Sequence, residues 1–215
     1  MGWRYLLLPA AYLLGSLNTS IVLSKFVFKK DVRGSGSGNA GMTNMTRSFG
    51  KGVGVLVLLL DALKGVAAVL LARYFITGTI SALWTADNAV WVPLIGYCMM
   101  MGHIFPVFFG FKGGKGIATT AGVLLALDPL YLLILLSIFA LVTFTSRYVS
   151  LGSLTVAVLY PAVTFGGYYL FQRGALDAAF VSILFAVTVI WMHRENIKRL
   201  LSHSENKIGA AKKKG

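Results

Sequence analysis

The sequence predicts an all-α fold: a polytopic membrane helix bundle of seven transmembrane or membrane-embedded helices, N-terminus outside and C-terminus cytoplasmic. Three observations predict it. The 215 residues are 57% hydrophobic and only 13% charged, about half the charge of a soluble domain. Apolar runs recur from one end to the other, most of them long enough to span a bilayer. The charge is lopsided, with 20 Lys+Arg against 7 Asp+Glu, or +13 formally. These figures exclude a disordered chain, a coiled coil and an ordinary soluble domain. A chain this basic meets an anion, whether lipid, phosphorylated substrate or nucleic acid.

The runs fall at 3–27, 52–72, 88–110, 117–127, 130–145, 149–171 and 176–192. The first carries only Arg4 ahead of it and no small-x-small cleavage site, so it reads as a retained span. The first, second, third and sixth runs reach the roughly 20 residues a crossing helix needs. The stretch 117–145 is two segments, broken at Asp128-Pro129, because proline disfavours helix at the residue before it. Residues 117–127 are too short to cross alone. The last run is near the lower limit.

Charge parity agrees with seven segments. Sixteen of the twenty basic residues then share one side, in the loop 25–51, the turns 111–116 and 146–148, and the C-terminal region. Arg4, Arg73 and Arg173 fall on the other side, and Lys64 lies within a span. Asp31, Glu195 and Glu205 fall inside, and Asp87, Asp128 and Asp177 outside. The whole excess of +13 is therefore cytoplasmic by the positive-inside rule. Six segments would put the C-terminal cluster opposite the first loop. Residues 1–204 read as one integral membrane domain and 205–215 as a mobile, polar, basic tail attracted to anionic lipid. No soluble domain remains to hold a nucleic acid. The single Cys98 excludes an internal disulfide and a Cys-based zinc site.

Two segments on the basic side carry chemistry. Arg33-Gly-Ser-Gly-Ser-Gly-Asn-Ala-Gly-Met-Thr-Asn-Met-Thr-Arg47 holds four glycines, hydroxyls and amides between two arginines. Glycines let backbone N–H groups converge on an anion, and Arg offers a planar fork to phosphate. Gly36, Gly38 and Gly41 match G-x-G-x-x-G, but no βαβ unit fits between membrane spans, so a dinucleotide fold is excluded. Asn39, Thr43, Asn44 and Arg47 set the segment apart from a plain linker. The second is Phe111-Lys112-Gly113-Gly114-Lys115-Gly116, which leads into a helix. Free N–H groups and the positive dipole end there add to Lys112 and Lys115, with Thr119 in the first turns. The spacing is not that of a Walker A loop.

Further polar positions complete the set. Ser150 and Ser153 share one helix face, where they contact substrate or pack against a neighbouring helix. His193, Asn196 and Arg199 form a stripe at the end of the last span. His103 reads as a structural hydrogen-bond partner near the end of its own span. Asp61 and Lys64, three residues apart within the second span, are expected to pair and face the bundle. The H-x4-D acyltransferase motif, a G-x-S-x-G elbow and a multi-Asp metal motif are absent. Neither a cofactor nor a metal is expected.

Together these residues resemble one family, the bacterial membrane acyl-phosphate:glycerol-3-phosphate acyltransferases called PlsY, over nearly the whole chain. The first motif stands as Gly36-Ser37-Gly38-Asn39-Ala40-Gly41-Met42-Thr43-Asn44 followed by Arg47. The second stands as Gly102-His103, Pro106 and Phe111 to Thr119. The third stands as His193-Arg194-Glu195-Asn196-Ile197, then Arg199-Leu200 and Glu205. Asp61, Lys64, Gly65, Arg147, Tyr148 and Ser150 also match. His203 departs from the family, which usually has Gly before the last Glu.

The resemblance implies a seven-helix enzyme of the bacterial cytoplasmic (inner) membrane, with its active site on the cytoplasmic side. It implies acylation of the 1-hydroxyl of glycerol-3-phosphate by a fatty acyl-phosphate. The products are 1-acyl-glycerol-3-phosphate and phosphate, the first step of phospholipid synthesis. A soluble enzyme that makes acyl-phosphate is an expected partner. On this reading Ser37, Asn39, Arg47 and Lys115 bind phosphate and stabilise developing charge. Lys112, Ser150, His193 and Asn196 position glycerol-3-phosphate, and Gly36, Gly38, Gly41, Thr43, Asn44, Gly113, Gly114, Gly116, Thr119 and Ser153 complete the binding surface. The proton of the attacking hydroxyl goes to the donor phosphate, to His103 or to His193. The competing class is a transporter of phosphate or organic anions. Polar motifs on one face, with no matching set outside, argue against alternating access.

Overall fold

The computed structural model describes residues 2–79, 90–171 and 176–208. The outer charges Asp87 and Arg173, and the tail residues 209–215 with Lys212, Lys213 and Lys214, lie outside the described residues. The described chain is helical, in the order α1 (Leu7–Ser16), α2 (Thr19–Val22), α3 (Met42–Phe49), α4 (Lys51–Thr77), α5 (Trp91–Ile104), α6 (Ile117–Leu127), α7 (Pro129–Ser146), α8 (Val149–Phe171), α9 (Leu176–Met192) and α10 (Arg194–Leu201).

Five segments are long and apolar enough to cross a membrane: Arg4–Val27, Lys51–Thr77, Trp91–Phe109, Pro129–Ser146 and Val149–Phe171. Helices α9 and α10 make a sixth if taken together, bent by 57° at His193. The seventh segment is α6, whose 11 residues reach only roughly 16 Å. It is held inside the bundle against α4. The expected break at Asp128-Pro129 is present. Asp128 Oδ1 accepts from the backbone of Leu130 at 3.0 Å and Tyr131 at 3.4 Å, capping α7 behind Pro129 at its first position.

Large side chains point outwards along these helices. Leu59, Leu63, Phe144 and Leu170 are all exposed, as suits a surface that faces lipid rather than water. Between helices the contacts rest on small residues. A Cβ on Gly15 would stand 1.9 Å from the Met99 carbonyl, and one on Gly102 would stand 2.0 Å from the Tyr12 carbonyl. Reciprocal glycines thus press α1 onto α5. Gly65 and Gly122 do the same for α4 and α6, against the carbonyls of Thr119 and Ala62. Helix α8 packs between α7 and α9, and α5 also touches α9.

The first span is not continuous. Its helix stops at Ser16, and Asn18 restarts it by accepting from the backbone of Ile21 at 3.2 Å. The loop 33–50 is likewise more ordered than a linker, since Met42–Phe49 forms α3. Ile21, Val32, Ala40, Met45 and Val57 make a small core under it.

Candidate active site

The glycine loop is built around Asn44, which is 1% exposed. Its Oδ1 accepts from the Ser37 backbone at 3.0 Å. Its Nδ2 faces the carbonyls of Val32, Ser35 and Asn39 at 3.0, 2.9 and 3.0 Å. The loop therefore winds about one amide. Gly36 and Gly38 take positive φ, +58° and +72°, and a Cβ on Gly36 would strike Asn44 Oδ1 at 2.1 Å. Ser37 stands exposed at the tip, with Asn39 half-buried beside it.

The lysine turn lies against this loop. The Ala40 N–H donates to the Gly113 carbonyl at 3.3 Å. Arg33 spans the two segments. Its guanidinium grips Asp31 at 2.8 and 3.0 Å and donates to the carbonyls of Phe109 at 2.6 Å and Lys112 at 3.1 Å. That guanidinium holds the Asp31 carboxyl well below the usual carboxylate range. The turn itself hangs from the end of α5, with Gly113 N–H on the Ile104 carbonyl at 2.9 Å and Gly114 N–H on the His103 carbonyl at 3.2 Å. Gly116, at φ +88°, then starts α6, whose first turn points free N–H groups at the same end of the bundle.

The C-terminal helix closes the third side. Lys115 Nζ donates to Asn196 Oδ1. Asn196 Nδ2 donates to Glu205 Oε1 at 3.2 Å, and Arg199 Nε to Glu205 Oε2 at 2.8 Å. Burial pushes the Lys115 ammonium down to about 8, helped by repulsion from Arg199 and Arg47 and opposed by attraction to Glu205. Beside it, His193 is 3% exposed, with Nδ1 2.8 Å from the Val189 carbonyl. A carbonyl only accepts, so Nδ1 carries the proton, and when the ring is neutral its lone pair is on Nε2. Three segments far apart in sequence thus converge on one lysine at one end of a membrane bundle, ringed by hydrogen-bond donors.

The profile of the glycerol-3-phosphate acyltransferase family matches residues 5–203. The chain belongs to the glycerol-3-phosphate acyltransferase family. Proteins of that name from Halalkalibacterium halodurans and Streptococcus thermophilus are 42% and 41% identical to it. The alignments cover 99% and 94% of this chain and 98% and 92% of those relatives. Two crystal structures of PlsY (YgiH), an integral membrane glycerol-3-phosphate acyltransferase, superpose on it. The glycerol-3-phosphate form has a TM-score of 0.84 and the lysophosphatidic acid form 0.80. Both are 38% identical and cover 97% of this chain and 96% of that one.

In the acyltransferase, the sequence-selected residues separate by what they touch. Ser37, Asn39, Arg47, Lys112, Lys115, His193 and Asn196 lie on the segments that converge. Gly41 precedes α3, and Thr43 is half-buried in its first turn. Asn44 spends its amide on loop backbone. Thr119 Oγ1 bonds the Gly116 carbonyl at 2.8 Å and Ser153 Oγ the Val149 carbonyl at 2.9 Å. Ser150 Oγ is buried without a protein partner. Arg33 and Glu205 emerge as organisers of the site. From sequence Arg33 reads as a phosphate fork at the edge of the loop, whereas its guanidinium is engaged with Asp31 and with the carbonyls of Phe109 and Lys112. Residues 205–208, read from sequence as the start of a mobile tail, are folded. Glu205 packs under Arg199, the Ile208 N–H bonds the Arg147 carbonyl at 2.8 Å, and Lys207 lies over the Tyr148 ring.

Proposed function

We propose that this acyltransferase moves a fatty acyl group from acyl-phosphate to the 1-hydroxyl of glycerol-3-phosphate, giving lysophosphatidic acid and inorganic phosphate. One observation carries the reading: Lys115, beside Arg47 and Arg199, links the glycine loop and the C-terminal helix in one basic cluster. Both substrates bear phosphate, and such a cluster suits two phosphates held side by side.

The chemistry needs no protein nucleophile, because acyl-phosphate is already activated. The 1-hydroxyl oxygen attacks the acyl carbon, the bond from that carbon to the phosphate oxygen breaks, and phosphate departs with the electron pair. Ser37, Asn39, Arg47 and Lys115 hold the donor phosphate and the charge that develops on it. Lys112, Ser150, His193 and Asn196 hold glycerol-3-phosphate, with Asn44 and the loop glycines keeping the donors in place. His193 Nε2, the ring nitrogen not engaged with Val189, takes the hydroxyl proton. Residues 1–204 act as one membrane domain of the bacterial cytoplasmic membrane, with this cluster on the cytoplasmic side, where a soluble enzyme supplies acyl-phosphate.

Purified protein in detergent tests the reading. Phosphate should be released from acyl-phosphate only when glycerol-3-phosphate is present, with lysophosphatidic acid formed one for one. Acyl-CoA and acyl carrier protein should not replace the donor. Binding without turnover, together with uptake into vesicles, would make the protein a transporter.

A further inference from the structure

Beneath the lysine turn lies a buried polar cluster that the reaction above does not use. Asp61 and Lys64 of α4 form an ion pair at 2.9 Å, with side chains 1% and 9% exposed. Thr19 Oγ1 donates to Asp61 Oδ1 at 2.9 Å. Lys64 Nζ also reaches the carbonyls of Gly15 and Leu17, each at 3.4 Å, which the break in the first span leaves open. His103 of α5 completes the group. Its Nδ1 lies 3.0 Å from Lys64 Nζ, 3.4 Å from Asn18 Nδ2 and 3.5 Å from Asp61 Oδ1. Charges within a membrane bundle are costly, and apolar side chains would fill the space at lower cost.

The nearest groups on Nδ1 fix the state of the ring. An ammonium and an amide nitrogen can only donate, so Nδ1 is an acceptor and the proton is on Nε2. This is the opposite tautomer to that of His193, and it removes His103 as a base for the substrate hydroxyl. The Nε2 edge points at the lysine turn. A Cβ on Gly114 would stand 2.1 Å from Nε2 and 2.8 Å from Cε1. The ring edge therefore occupies the space that any other residue at 114 would need. The His103 carbonyl meanwhile accepts from the Gly114 N–H.

We propose that His103 is a positioning residue for the acyl transfer: the Asp61–Lys64 pair and Asn18 hold its imidazole as a strut, and its Nε2 edge bears on Gly114 and sets where Lys112 and Lys115 stand. The proposal rests on the reading of that turn as phosphate-binding. It is read as a ratio between variants with any acyl donor that the enzyme turns over, so the two stand or fall separately.

The test exploits side-chain length. In His103→Gln the amide nitrogen reaches the place of Nε2. In His103→Asn the amide reaches only the place of Nδ1, keeping an acceptor for Lys64 but no strut. With full-length protein in detergent, scored per monodisperse molecule, kcat/KM for glycerol-3-phosphate should stay within about threefold of wild type in His103→Gln. It should fall at least tenfold in His103→Asn. A merely structural role would lower the yield of folded protein and leave kcat/KM per molecule unchanged. If His103→Asn does not fold, the double variant Asp61→Asn/Lys64→Met, which strands no charge and removes the nearer of the two donors to Nδ1, should show the same loss. Equal kcat/KM in the Gln and Asn variants, or wild-type kcat/KM in the double variant, would overturn the proposal.

Discussion

Lys115 is where residue type, position and chemistry meet. The turn offered two lysines, and only the family resemblance gave Lys115 the developing charge and Lys112 the glycerol-3-phosphate. Lys112 stands exposed, whereas Lys115 turns inward to Asn196 and sits between Arg47, Arg199 and Glu205. Its partners come from 68 residues before it to 90 after it, beyond any local pattern. Asn44 shows the converse. Its type and place in a glycine-rich loop looked like a substrate contact, but only the fold reveals an amide wholly engaged with its own loop. The position of Lys115 predicts a pH dependence. With its ammonium pushed down to about 8, the lysine is charged below that pH and loses its charge as pH rises through it. Phosphate binding by the free enzyme should fall with it, so log kcat/KM should decline by about one per pH unit above pH 8. Arginine stays charged throughout this range. Lys115→Arg should therefore flatten the decline at a lower plateau, and Lys115→Ala should cost about 10²–10³ in rate. An unchanged alkaline limb in an active Lys115→Arg enzyme would remove Lys115 from the titration.

At the scale of the element, hydropathy located the spans well because lipid demands about 20 apolar residues wherever a helix crosses. The residues 117–127, 149–171 and 176–192 are the bounds of α6, α8 and α9. The break at Asp128-Pro129 was legible because proline and a capping aspartate act locally. The break at Leu17–Asn18 also carries a local mark, the polar stretch Gly15-Ser16-Leu17-Asn18-Thr19-Ser20 with Asn18 as cap. Its support by Lys64 of α4, which takes the Gly15 and Leu17 carbonyls, is long-range and was not legible. The short helix Met42–Phe49 was hidden because it is polar and bounded by glycines. Helix pairing was also out of reach, although its instruments, the glycines, were in plain view. Gly122 and Gly166 make the contrast measurable. A Cβ at 122 would meet the Ala62 backbone at 1.9 Å, while one at 166 meets nothing within 4 Å. Gly122→Leu should lower stability in detergent by about 3 kcal/mol or more, since backbone cannot move aside as a side chain can. Gly166→Ala should be neutral, or stabilising by up to about 1 kcal/mol, because α8 loses a flexible residue there. Thermal unfolding of the two variants decides. A tolerated Gly122→Leu would mean that α6 is not clamped to α4 as described.

Across the whole molecule, one physical quantity ties orientation to function. The net charge of +13 sits on a chain whose exterior is largely apolar, and the basic residues of the converging segments lie at the pocket end. In the proposed orientation, positive charge on one face would serve two ends at once: it would orient the chain during insertion, and it would concentrate anionic substrates at the pocket. Sequence counting could propose the face, but it could not say that the loop, the turn and the last helix meet there. The two ends of the bundle can be told apart chemically, because Cys98 is the only thiol and is half-buried. In a Cys98→Ser background, Lys198→Cys places a thiol at the pocket end, where the lysine side chain is 73% exposed. Thr79→Cys places one beyond the far end of α4, at an exposed position. With the pocket cytoplasmic, a membrane-impermeant maleimide added to intact cells should label the cysteine at 79 and spare that at 198. Permeabilising the inner membrane should then expose the cysteine at 198. The reverse pattern would invert the bundle, putting the basic pocket on the side away from any cytoplasmic supply of acyl-phosphate and glycerol-3-phosphate. The proposed reaction could not then draw on those substrates, so the orientation and the activity stand on the same measurement.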